Sequence, residues 1–336
     1  MTYMGRLQFN NNYHYIISVD NLLDAWKEFL CGKRKRKDVQ LFERNLMANI
    51  LSLHHDLVNK TYKHSAYHAF NISDPKPRNI HKASVRDRLL HHALYRALYP
   101  FFDKTFIADS YSCRINKGTH KALNQFRAYS YKVSKNHTKT VWVLKCDIKK
   151  FFASVDQDIV TEIIKQYIPD TDIQWLISQI VFSFDSGIKG RGLPLGNLTS
   201  QLLVNVYMNE FDQFVKHQLK ARYYIRYADD FVILSENKNW LVTMLPVISE
   251  FLVERLNLFL HEKKVCIRTI ASGVDFLGWV HFSDHRVLRT VARRRMFKNI
   301  IVRQGNNNTF QSYLGLLKHG NTYNLTNQVN RYLGTE

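Results

Sequence analysis

The chain has 336 residues, of which 45% are hydrophobic and 13% aromatic, enough apolar matter to bury a sizeable core. It carries 48 Lys and Arg against 28 Asp and Glu, a net charge of +20, which points toward a polyanion such as nucleic acid or, less specifically, an anionic membrane surface. No apolar run approaches the roughly 18 residues that span a bilayer, the N-terminus lacks a secretory layout, and four scattered cysteines form neither a CxxC metal site nor a disulfide framework, so they read as small core residues in a reducing cytoplasm.

No internal repeat and no low-complexity linker interrupts the chain, and only six prolines punctuate it, so it reads as one lobed body. Residues 20–60 have helical periodicity, with Leu22, Leu23, Trp26 and Leu30, then Leu41, Leu46, Ile50, Leu53 and Leu57. Between these stretches lies the run Gly32-Lys33-Arg34-Lys35-Arg36-Lys37-Asp38, either a solvated connection or a patch for a phosphate backbone. Residues 73–80 hold two prolines and read as extended. Helix returns from Ser84 to Tyr99, and His91 and His92 inside it read as satisfied helix histidines.

Val141 to Asp147 is short, β-prone and mostly apolar, as suits a buried central strand. Tyr223 to Tyr227 and Phe231 to Leu234 flank Ala228-Asp229-Asp230, the pattern of a β-hairpin with acidic residues at its tip. From about Arg286 the chain is expected to be helical and strongly basic, with Arg289, Arg293, Arg294, Arg295, Lys298 and Arg303.

Asp147, Asp229 and Asp230 are the candidate residues for chemistry. Nucleotidyl transfer uses two divalent cations roughly 4 Å apart, one activating a 3′-hydroxyl and one steadying the triphosphate. Hard cations take carboxylate oxygens on rigid backbone. A carboxylate at the end of a central strand, facing a hairpin with two more, supplies such ligands. An Asp-Asp turn alone is common on solvated surfaces. Apolar strands on both sides of this one make the pair costly to bury unless cations neutralise it.

The segment Asp147-Ile148-Lys149-Lys150-Phe151-Phe152, then Pro194 to Gln201, the hairpin Tyr227-Ala228-Asp229-Asp230 and finally Phe276-Leu277-Gly278-Trp279 resemble, in family order, the palm motifs of reverse transcriptases. The similarity extends over nearly the whole chain from about residue 18. It implies an α+β right-hand polymerase, with an N-terminal extension and fingers in residues 1–140. The palm would fall in 141–283, with part of the fingers at about 157–200, and a basic helical thumb in 284–336. It also implies an RNA-directed DNA polymerase using two Mg2+ ions, with Mn2+ able to substitute.

On this resemblance Asp147, Asp229 and Asp230 ligate the metals, and Ile148 lends a backbone carbonyl. Lys264, with Lys263 as an adjacent rival, protonates the departing pyrophosphate. Lys76 and Arg78 grip the triphosphate, Phe152 excludes a 2′-hydroxyl, and Leu195 and Gly196 line the incoming nucleotide. Phe276 to Trp279 hold the primer end, while Arg293 and Arg294 meet the primer–template. Arg86 and Arg88 either touch template backbone or brace the fingers.

Many reverse transcriptases have Gln-Gly where this chain has Leu195-Gly196, and Ser-Pro where it has Ser200-Gln201. The Leu-Gly-Asn-Leu-Thr-Ser-Gln form resembles enzymes of diversity-generating retroelements, as do Trp26 to Lys37, Asp74 to Arg78 and Ser312 to Gly315. That subgroup implies error-prone copying of a template RNA at adenines, so that the mutated cDNA replaces a repeat in a target gene. It also implies a small, basic helical accessory protein, a bacterial or phage origin, a cytoplasmic setting and no membrane. The competing readings are a group II intron protein, a retron-like or defence-associated enzyme, and a domesticated palm-fold protein that only binds RNA. Maturase, endonuclease and ribonuclease H regions are not expected in this length.

Overall fold

Residues 6–73, 77–303 and 306–332 are described by the computed structural model. Helices and antiparallel strands group into two units. The first comprises Met1–Ala108, Ile148–Gln218 and Ser249–Leu260, and the second Asp109–Asp147, Leu219–Ile248 and His261–Glu336.

In the first unit, strands β1 (His68–Ile72) and β2 (Arg78–Lys82) pair antiparallel, His68 opposite Lys82 and Ile72 opposite Arg78. The extended reading of 73–80 thus belongs to a hairpin, and its residues 74–76 lie outside the described ones. Helices Val19–Phe29, Lys37–Arg44 and Leu46–Val58 occupy the N-terminal region where apolar periodicity called for them.

Helix Val85–Thr105 is the central element of this unit and packs against Val19–Phe29 and Leu198–Gln213. Ser84 starts it by accepting from the backbone N–H of Asp87. It was expected to stop near Tyr99, yet it runs through Pro100 to Thr105. Burial of Phe102 on the same core face offsets the amide hydrogen bond that proline cannot make. Asp156 and Asp170 cap helices Gln157–Lys165 and Thr171–Val181 in the same manner as Ser84.

In the second unit, β3 (Trp142–Asp147), β4 (Tyr224–Tyr227), β5 (Asp230–Ser235) and β6 (Cys266–Thr269) form a four-stranded antiparallel sheet in the order β4-β5-β3-β6. Helix Thr119–Val133 packs on β4 and β5, so residues 109–140, read from the sequence as the end of the fingers, lie in the second unit. A second sheet joins β7 (Val274–Phe276), β8 (Trp279–His281) and β9 (Arg286–Leu288).

The strand β9 corrects the helical reading from Arg286. Arg286-Val287-Leu288 alternates and pairs with β8, which sends Leu288 into the core, and helix begins only at Thr290. The tail helices Thr290–Val302, Asn307–Leu317 and Tyr323–Arg331 contribute Met296, Ile300, Phe310, Leu317 and Val329 to one apolar cluster with Phe276 and Trp279. Gly320 is required there, because a Cβ would meet the Trp279 ring.

The cysteines are less uniform than expected. Cys146 is buried on β3, but Cys31, just past a helix end, and Cys113, in a left-handed turn, are exposed.

Candidate active site

Strand register determines which carboxylates meet. Asp147 ends β3 and Asp230 begins β5, and the two are direct cross-strand partners. Such partners place their Cβ atoms about 4.5–5.5 Å apart. Asp230 is also opposite Tyr227, so Ala228 and Asp229 are a two-residue turn closing β4 to β5. Asp229 thus stands on the turn itself and Asp230 within the strand, one residue deeper than a loose acidic tip.

Two like charges across a strand pair repel. Asp147 is only 6% exposed. Burial, opposed by Lys145 and reinforced by Asp229 and Asp147, pushes the Asp230 carboxyl up to about 7. Lys145 stands two residues before Asp147 and so on the same face of β3. On the other side, Nζ of Lys264 donates to Oδ1 of Asp147 at 2.7 Å. Lys264 ends a short 3-10 turn, Glu262–Lys264, which is anchored where the His261 N–H donates to the Asp147 carbonyl at 2.8 Å. Lys264 rather than Lys263 is therefore the lysine brought to the carboxylates.

The turn has a support that sequence reasoning missed. Ala228 has a φ of 54°, a left-handed conformation costing a non-glycine residue on the order of 1 kcal/mol or more. Arg226, only 1% exposed, donates from Nη1 to the Ala228 carbonyl at 3.2 Å. The Arg226 N–H in turn donates to the carbonyl of Asp109, whose carboxylate accepts from the hydroxyl of Tyr129 at 2.7 Å. A charged residue at an inward-facing strand position was the available signal.

The donor chemistry fits a hard divalent cation: carboxylate oxygens on paired strands, with a lysine ammonium already on one of them. Among the described residues, no group of three or more His, Cys, Asp or Glu is drawn together tightly enough to enclose a metal.

The remaining sequence-predicted residues divide between the units. Phe276 and Trp279 are 0% and 2% exposed and lie in the core, leaving Leu277 and Gly278 at the turn between β7 and β8. Arg293 and Arg294 line a groove of about 570 Å³ with Phe297, Lys298, Ile301, Val302 and Gln328.

In the first unit, the Leu195 carbonyl accepts from the His81 N–H at 3.1 Å, and Asn197 Nδ2 donates to the His81 carbonyl at 2.9 Å. The Leu195-Gly196 segment is thus docked on β2, the strand that carries Arg78. At Gly196, with a φ of 108°, a Cβ would come within 2.9 Å of the Ile80 side chain. Phe152 is partly buried, its carbonyl accepting from the Leu193 N–H at 2.8 Å, and Ile148 bridges to Leu260. Arg86 and Arg88 are ion-paired within the unit, to Asp56 and to Asp38. Lys76 lies outside the described residues.

These helices and antiparallel sheets make the right-hand polymerase fold. The chain superposes on the telomerase of Candida albicans, solved with a fragment of telomeric RNA, with a TM-score of 0.51 over 79% of this chain and 58% of that one. At 10% identity that likeness shows the fold alone. The family model for reverse transcriptase (RNA-dependent DNA polymerase) matches residues 64–281, well over half of the chain, and the chain belongs to that family.

Among curated proteins it is 25% identical over 258 residues to Protein YkfC of Escherichia coli, covering 66% of each. It is 22% identical over 298 residues to the group II intron-encoded protein LtrA of Lactococcus lactis, covering 66% of this chain and 47% of that protein. The chain therefore spans about two thirds of the first relative and less than half of the second. No described helix is long and apolar enough to cross a membrane.

Proposed function

We propose that the protein is an RNA-directed DNA polymerase, and that it copies RNA with elevated error at template adenines, as the enzymes of diversity-generating retroelements do. The observation that carries the polymerase reading is the cross-strand pairing of Asp147 with Asp230, beside the Asp229 turn, in a chain of this family. Leu195-Gly196 in place of Gln-Gly supports the finer reading.

Asp147, Asp229 and Asp230 would hold the divalent cations, with the Ile148 carbonyl as a further oxygen ligand. Bound there, two Mg2+ or Mn2+ ions would supply activation of a primer 3′-hydroxyl and neutralisation of the triphosphate charge. Lys264, resting on Asp147, is the group suited to give a proton to the departing pyrophosphate. Arg78 and Lys76 bind the triphosphate, and Phe152 rejects a 2′-hydroxyl. The turn at Leu277-Gly278 meets the primer end, held in place by the buried rings of Phe276 and Trp279. Arg293 and Arg294 contact the primer–template duplex. The partners on this reading are template RNA, primer and cDNA, dNTPs and a small basic accessory protein.

Leu195 offers a nucleotide no hydrogen bond where a glutamine amide would constrain it, so mispairs meet less penalty. A group II intron-type enzyme is the second reading, favoured by the similarity to LtrA.

The test is primer extension on an RNA template with magnesium, beside an Asp229→Ala, Asp230→Ala control, followed by sequencing of the cDNA. Synthesis lost in the control, with errors gathered at adenines that fall in Leu195→Gln, is the expected result. Accurate synthesis would favour the group II-like reading. Synthesis that persists in the control would remove these carboxylates from the chemistry.

A further inference from the structure

A cavity of about 390 Å³ lies between helix Thr119–Val133, the turn joining β8 to β9, and the loop ahead of the last helix. Its lining includes Arg127, Ser130, His281, Phe282, Arg286 and Lys318. All of these belong to the second unit, at the opposite end of β8 from the Leu277-Gly278 turn. Gly278 and Phe282 are separated by roughly 13 Å of extended chain.

Three polar groups there lack a hydrogen-bond partner while buried: Nη1 of Arg286, Oγ of Ser130 and Nε2 of His281. Buried polar atoms are seldom left so, because each forgoes its bonds to water. The Arg286 fork is otherwise fixed. Its Nε donates to the His319 carbonyl, its Nη2 donates to Asn124 Oδ1 at 3.1 Å, and its Cζ lies 5.7 Å from the centroid of the Trp279 ring.

His281 is 3% exposed. Burial and then Arg286 push its pKa down to about 3, so the ring is neutral and its unpartnered Nε2 is able to accept a hydrogen bond. Phe282 and His285 stack at 4.9 Å, within 17° of parallel, on the same rim. The acidic group in the lining, Asp284, is engaged by His285 at 2.7 Å. Arg127 and Lys318 are exposed at the mouth.

We propose that this cavity is a ribonucleotide site: Arg286, Ser130, Arg127 and Lys318 take the phosphate, His281 Nε2 accepts from a ribose hydroxyl, and the Phe282–His285 pair offers the base a stacking face. A guanidinium with a free N–H beside a hydroxyl donor suits a phosphate oxyanion, and a neutral imidazole acceptor selects a ligand with an O–H to give. The 2′-hydroxyl is the group that tells RNA from DNA, and rings interleaved with cations are the usual surface for unpaired nucleotides. The same chemistry comes from a free ribonucleotide or from one unit of an RNA strand.

The proposal stands apart from the polymerase reading, because none of its groups is among the paired carboxylates. An Asp229→Ala, Asp230→Ala chain is expected to bind the probes as the unaltered chain does. The experiment titrates the full chain with AMP and dAMP by calorimetry, and with fluorescein-labelled r(A)12 and d(A)12 by anisotropy.

Arg127→Ala with Lys318→Ala is expected to weaken the ribo-probe at least about tenfold. A charge-matched control, Lys63→Ala with Lys189→Ala, is expected to change it less than twofold. His281→Leu should erase the preference for ribo- over deoxy-probes without weakening the deoxy-probes. An effect seen with AMP identifies a free nucleotide as the ligand; one confined to r(A)12 identifies a unit of the strand. Equal weakening in the control, or no change with either probe, would overturn the proposal, and unchanged thermal unfolding of the exposed double variant guards the comparison against misfolding.

Discussion

Two tight turns in the second unit share a design and differ in what they present. Ala228-Asp229 closes β4 to β5, and Leu277-Gly278 closes β7 to β8, each a two-residue loop with positive φ at its first position. Around the first turn are three carboxylates, with Arg226 beneath it. Around the second are Phe276 and Trp279, both buried in the apolar cluster. The first turn displays charge that the fold must tolerate; the second is an anchor whose flanks stabilise it by about 1.5–3 kcal/mol per buried ring. A site that binds cations gives up stability where its ligands crowd, and the aromatic turn has no such conflict.

Substitutions should separate the two turns. The largest effect is expected from Asp147→Ala or from Asp229→Ala with Asp230→Ala, which should lower primer extension on the order of a thousandfold or more while leaving thermal unfolding unchanged or slightly improved. A collapse in melting temperature would instead make the carboxylates structural. Lys264→Ala should slow the chemical step about a hundredfold in single-turnover assays, with Lys263→Ala within about twofold of the unaltered enzyme. Equal losses would dissociate the 2.7 Å contact with Asp147 from catalysis.

The pH dependence of stability offers a third, smaller test. The Asp230 carboxyl, raised to about 7, holds its proton in the folded chain over a range where the unfolded chain, near 3.8, has released it. Its contribution to folding is therefore full below about pH 4 and is lost as the pH rises to about 7. Without divalent cations, the unaltered chain minus Asp230→Asn should show a melting difference that moves by a few degrees across that window. Added Mg2+ should flatten it. A difference independent of pH would mean that Asp230 does not titrate there. Gly278→Ala should have the smallest effect, about 1 kcal/mol of stability by denaturant titration, because a Cβ there meets nothing and only the φ of 86° opposes it.

Much of this was legible in the sequence. Apolar period 3.6 marked the helices of residues 20–60, short β-prone apolar runs marked β3 and β5, and residue order alone tied Asp147 and the Tyr-Ala-Asp-Asp hairpin to a palm. Local pattern fails where two segments compete on equal terms. Lys263 and Lys264 are chemically identical neighbours, and only the 3-10 turn hung from Asp147 brings one of them to the carboxylate. Arg86 and Arg88 could have faced a template, but Asp56 and Asp38, far away in sequence, take their charges.

The chain's own order of residues determined the element types, the hairpin with its acidic turn, and the basic character, because these depend on neighbours within a few positions. Tertiary structure alone decided that Asp230 faces Asp147, that Arg226 supports the turn, that Arg286 begins a strand, and that His281, Ser130 and Arg286 converge on one cavity. Apart from Arg286, whose strand pairs with the neighbouring β8, those outcomes depend on strand register or packing between segments far apart in sequence, and on burial, which no local pattern encodes.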